Sequence, residues 1–108
     1  MKSIIHDKDS RTCYLCATVK FDYSEKTNLE EHHIFGGNPN RRLSEKYGLK
    51  VYLCPEHHRT SNEAVHRPDR NWYQRSLQIT GQKYFETYYP HLDFVKIFGR
   101  NYYTEDDK

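Results

Sequence analysis

Apolar positions along this chain come in short bursts separated by polar stretches, with no long run anywhere. Residues 1–12 are almost wholly polar and read as a frayed segment. Residues 17–27 mix charge with scattered apolar side chains, as a loop or short hairpin would. From 29 to 35 the chain can run extended into Gly36-Gly37, and 49–53 (LKVYL) has the short, partly aromatic and β-branched character of a strand. Between them Asn38-Pro39-Asn40-Arg41-Arg42 is turn chemistry. Residues 44–47 leave room for about one helical turn, with Gly48 placed to end it. Pro55 precedes an expected helix over 56–65, and Pro68 closes that segment because its ring disfavours helix at Arg67. A longer helix is expected over 69–88, with Tyr73, Leu77, Gly81, Tyr84 and Tyr88 forming its apolar stripe at helical spacing. Gly81 weakens that helix by roughly 1 kcal/mol relative to Ala but lets another element approach closely. Pro90 ends it, 92–98 forms a short amphipathic helix stopped at Gly99, and 104–108 reads as a disordered tail. The order is turn, strand, Ω-like loop, strand, helix and then a helical C-terminal half.

Composition adds a constraint. Of the 108 residues only 35% are hydrophobic, and the mean hydropathy is −1.08, so a single domain spanning 1–108 must build on a thin aliphatic core. Domains with so little core are often supplemented by a metal or a disulfide. Ten Tyr help, since each buries a large area while keeping a polar edge. On that ground the aromatic C-terminal helices are read as core rather than as a dimer surface. The net charge of +2 is too small to establish a nucleic-acid partner by itself. No stretch is long enough to cross a membrane, and the first residues carry no apolar signal region. The expectation is a cytoplasmic protein in a reducing compartment, where a Cys pair is more often a metal site than a disulfide.

Two clusters carry chemistry. Cys13-x-x-Cys16 and Cys54-x-x-His57 are half-sites with 37 residues between them, and together they use every Cys in the chain. Each two-residue gap lets both side chains reach one ion, so the four predict a closed tetrahedral structural zinc site. The competing reading is that the thiols are merely small buried hydrophobes. The second cluster is Glu31-His32-His33-Ile34. Adjacent residues of a strand point to opposite faces, which suits a division of labour: one His ligates a cation while the other activates a water. Downstream, His58, Asn62 and His66 fall at i, i+4 and i+8 on one helical face and can complete a divalent site opposite His32. Because His57 and His58 are adjacent, the zinc knuckle would hold that helix against the strands. Any one of these histidines taken alone reads as an ordinary hydrogen-bonded side chain.

The segment EEHHIFGG…GLKVYLCPEHHRTSN resembles the HNH (His-Me finger) endonuclease family, including variants with paired CxxC-type zinc half-sites. With its GGNPNRRLSEKYGL loop it is similar to small HNH proteins encoded by phages and prophages, and QKYFETYYPHLDFVKIFGRNYY looks like their C-terminal extension. The resemblance implies an α+β fold, a small ββα-metal core with a zinc knuckle over 10–66 and a helical extension over 69–99. It places His32 at the first metal-ligand position, His33 at the general-base position, and His58 and Asn62 at the two helix-ligand positions. The family's central Asn falls at Leu49, a departure that leaves Asn38 or Asn40 in the long loop to take over its work.

The implied activity is hydrolysis of DNA phosphodiesters by a His general base and one divalent cation, with Mg or Mn the expected metals. Arg41, Arg42, Arg59 and His66 are the expected contacts to flanking phosphates. Phage terminase or recombination proteins are the expected protein partners. The alternative is a non-catalytic, zinc-stabilised module that binds nucleic acid or assists packaging or recombination machinery.

Overall fold

A computed structural model describes residues 1–60, 65 and 72–103, with the side chains of Arg59 and Thr60 excluded. The expected ligand Asn62, the side chains of Arg59 and His66, and the tail 104–108 therefore lie outside the described residues. The chain is α+β: α1 (Tyr14–Lys20), β1 (Glu30–His33), α2 (Asn40–Tyr47), β2 (Lys50–Leu53), a π-helical turn (Glu56–Thr60), α3 (Trp72–Tyr88) and α4 (Phe94–Phe98). The two strands pair antiparallel, with Glu30 opposite Leu53, Glu31 opposite Tyr52, His32 opposite Val51 and His33 opposite Lys50. That register puts Glu30, His32, Val51 and Leu53 on one face and Glu31, His33, Lys50 and Tyr52 on the other.

Three expectations are corrected. Residues 1–12 are not frayed, because their polar groups complete the open edge of β2. Ser3 Oγ donates to the Lys50 carbonyl, the Ile4 N–H donates to Gly48 O, and His6 Nδ1 accepts the Tyr52 N–H. A lone two-stranded hairpin is marginal in water, and this segment supplies a third, irregular layer. Gly48 is required twice over here. It ends α2 with φ +72°, and a Cβ on it would lie 2.6 Å from the Lys2 carbonyl.

The second correction is at Cys13, which does not sit in a simple turn but caps α1, its sulfur accepting the Cys16 N–H. Helix thus continues to Lys20, through part of the stretch read as a loop or hairpin. Third, α2 begins at Asn40 rather than Ser44, so Arg41 and Arg42 stand on a helix and not in an extended loop.

The core is a band of Phe35, Phe85, Phe94 and Phe98 packed with Ile34, Leu49, Val51, Leu53 and Leu77. On α3 the buried stripe is Leu77, Gly81, Gln82 and Phe85, whereas Tyr84 and Tyr88 are exposed. The helix is turned slightly from the expected stripe because Gln82 has partners inside. Its Nε2 donates to Asn101 Oδ1 (2.8 Å) and its Oε1 accepts the Tyr102 N–H (2.7 Å), fastening the chain after α4 onto α3. A buried amide is tolerated when it is satisfied in this way. Gly99 ends α4 at φ +90°, as expected, while Asp93 caps its start, so the helix begins at Phe94 rather than Leu92.

A candidate metal centre and two histidine faces

Cys13 and Cys16 come from the start of α1, Cys54 from the end of β2 and His57 from the π-helical turn that follows. Their four ligand atoms converge in a buried cluster. Cys16 Sγ and Cys54 Sγ are 3.8 Å apart, and His57 Nδ1 lies 3.4 Å from each of them and 3.6 Å from Cys13 Sγ. A tetrahedron whose centre is about 2.3 Å from each sulfur has edges of about 3.8 Å, so the donor set and its spacing both fit zinc.

Electrostatics points the same way. Burial pushes the Cys54 thiol up to about 12 and also raises Cys16, where neighbouring Cys13 adds to the effect. Burial opposes ionisation of Cys13 too, but hydrogen bonding to His57 and to the Cys16 and Cys54 backbone brings it down to about 6. Without a cation the pocket favours only one thiolate; three need a central positive charge.

The histidine doublet of β1 is divided between the two faces of the sheet. His32, nearly fully buried, points toward α3, where its Nε2 meets Gln74 Oε1 at 2.8 Å. Gln74 Nε2 donates to the Ile34 carbonyl at 2.7 Å. That bond turns the amide oxygen toward His32, so His32 Nε2 carries the proton and Nδ1 the lone pair. The His58 ring stands 5.2 Å from the His32 ring, centroid to centroid. His58 Nδ1 meets Glu30 Oε1 at 2.9 Å, which holds a proton on Nδ1 and leaves Nε2 as the lone-pair nitrogen. An imidazole whose second nitrogen is held by a carboxylate or amide oxygen is the usual preparation for metal ligation. Two imidazoles oriented in this way therefore meet on one face of the sheet.

His33 lies on the opposite face. Its Nε2 is 2.9 Å from Glu45 Oε1 on α2 and 3.6 Å from Glu31 Oε1. Lys50 Nζ completes the group, 2.9 Å from Glu45 and 3.2 Å from Glu31. The Met1 ammonium, His33 and Lys50 together hold the Glu45 carboxyl down at about 2. Burial works against the Lys50 ammonium, but Glu45 and Glu31 more than offset it and raise its pKa. Glu31, His33 and Glu45 are close enough to share a metal ion, yet Lys50 already stands between the two carboxylates as a cation. The Glu45 contact keeps the proton on His33 Nε2, so Nδ1 is left as the basic nitrogen.

Arg41 and Arg42 are exposed at the start of α2, and Arg42 Nη2 donates to Asn38 Oδ1 at 3.2 Å. Neither loop asparagine meets His33: Asn40 Nδ2 donates to the Phe98 carbonyl. Leu49, at the position of the family's central Asn, is fully buried in the core. Ser44 Oγ binds both the N–H and the carbonyl of Phe35, tying down the loop, and Glu45 orients His33. Glu30 was not singled out from the sequence, although its two-residue spacing from His32 puts both on one strand face. Gln74 and Glu45 had no such signal, because each comes from a different element.

Set against protein-family models, curated proteins and solved structures, the chain matches none of them.

Proposed function

We propose that this protein is a divalent-metal-dependent DNA endonuclease built on an HNH-type ββα-metal core. The observation that carries the reading is the meeting of His32 and His58. Strand β1 and the segment beside the zinc ligand His57 bring two imidazoles together, 5.2 Å apart between ring centroids, each with one nitrogen held by a side-chain oxygen. Asn62, the expected third protein ligand, lies outside the described residues. A bound Mg or Mn supplies Lewis acidity to the scissile phosphate and the leaving 3′ oxygen. His33 Nδ1 takes the proton from the attacking water while Glu45 holds the other ring nitrogen in place, the base-and-orienter logic of many hydrolases. Since His32 and His33 occupy opposite faces, the reading requires the DNA strand to cross the end of β1 and reach both.

That opposite placement also favours a second reading, a zinc-stabilised module that binds nucleic acid or assists packaging or recombination proteins without cutting. Nicking of supercoiled plasmid across divalent cations separates the two. The enzyme reading expects cleavage with Mg or Mn and losses of roughly 10²–10⁴-fold in His33→Ala, with comparable losses in His32→Ala and His58→Ala. Zinc content should be unchanged in all three. DNA binding by the wild type without cleavage in any divalent would establish the module instead.

A further inference from the structure

Beside the His32 face lies a cavity of about 300 Å³ lined by Gln74, Arg75, Gln78, Arg100 and Tyr102. Two arginines line it from different parts of the chain, Arg75 from α3 and Arg100 from the segment after α4. Among the described residues lining it there is no carboxylate. Arg100 is directed rather than loose: its guanidinium lies 4.6 Å from the Tyr102 ring centroid, and that ring packs on buried Phe35 at 4.8 Å. The Tyr102 backbone is in turn fastened to Gln82. Gln74 is a shared wall, since the side chain that lines this cavity also accepts from His32 Nε2. Its amide is engaged by His32 and Ile34, so it serves as a wall of the cavity rather than as a ligand contact.

We propose that this cavity binds a phosphate group. On the nuclease reading of the His32 face, on which this point rests, the group is a backbone phosphate flanking the scissile one. A planar guanidinium fork matches the oxygens of a phosphate in geometry and charge, and two of them around one polar cavity select an anion over a neutral ligand. DNA carries a charge about every 3.4 Å along each strand, so a strand with one phosphate at His32 has others close by, and Gln74 joins the His32 contact to this cavity. Phosphate contacts of this kind set the register of the strand without reading its sequence.

The test compares the full chain with an Arg75→Gln/Arg100→Gln double variant, zinc content serving as the check of folding. Binding of a labelled DNA duplex, without added Mg or Mn, is followed by anisotropy across salt. The slope of log K against log salt should fall by about 0.9 for each lost contact, about two in the double variant, with equal weakening across sequences. Inorganic phosphate should also shift the Gln74 and Gln78 side-chain amide resonances in the wild type and not in the variant. If the wild type binds DNA and the variant keeps the same slope, the flanking-phosphate assignment is wrong. If the wild type binds no DNA but phosphate still moves those resonances, the site stands as one for free phosphate or a small phosphate ester, and the nuclease reading fails alone. If neither probe responds, the proposal is overturned.

Discussion

His6 sits in a polar stretch with nothing in its neighbours to mark it, yet it finishes the hydrogen bonding of a strand edge. Its Nδ1 accepts the Tyr52 N–H at 3.1 Å, and its ring packs edge-on against Tyr14. Burial lowers its pKa, and only partly does nearby Asp7 counter this. The folded state therefore prefers the neutral ring, which alone can accept that bond. The contribution is fully present above the unfolded value of about 6.5 and is lost as pH falls through the lower folded value. His6→Ala should cost about 1 kcal/mol near pH 8. In urea titrations the gap to wild type should narrow steadily below pH 6. A gap independent of pH would refute the role given to Nδ1.

At the scale of elements, Gly81 shows how much of a packing contact can be read from one residue. A Gly inside a helix signals close approach, but not by what. A Cβ there would lie 3.1 Å from Phe35 Cε2 and 3.3 Å from Ile34 Cγ2. Neither neighbour can yield readily, because Ile34 is fully buried and Phe35 is held by Phe94, Phe98 and Tyr102 with ring centroids 4.8–5.2 Å away. Alanine gains about 1 kcal/mol of helix propensity, and overpacking costs about 1–3 kcal/mol. Gly81→Ala should thus destabilise by up to about 2 kcal/mol in chemical denaturation, and a stabilised variant would show that α3 can move off β1. The same helix presents Gln74 to His32, so its seating on the strand also sets the candidate site.

For the whole molecule, the cysteine and histidine cluster is the clamp that joins α1, the end of β2 and the turn bearing His58. Zinc binding to small metal-coupled domains is worth roughly 10–16 kcal/mol, as much as the total stability of a typical domain. Purified protein should therefore hold about one tightly bound zinc. A strong chelator, or Cys54→Ser, should abolish the cooperative thermal transition rather than shift it by a few degrees. A metal-free chain with an unchanged melt by circular dichroism would overturn the clamp. Among the described residues no helix is long and apolar enough to cross a membrane.

The sequence alone determined what depends on near neighbours along the chain. The strands around His32 and Val51, the stops at Gly48 and Gly99, the two-residue gaps of the metal half-sites and the splitting of His32 from His33 all follow from turn chemistry, ligand reach and the two-residue period of a strand. Contacts across many residues decided the rest. Docking of residues 1–12 on β2, the turn of α3 that buries Phe85 in place of Tyr84, and the pairing of His33 with Glu45 were not legible. Each depends on which distant surface satisfies a buried polar group or fills the space beside Phe35. Spacing in the chain carries no information about that choice, so the partners of the two histidine faces belonged to the tertiary structure.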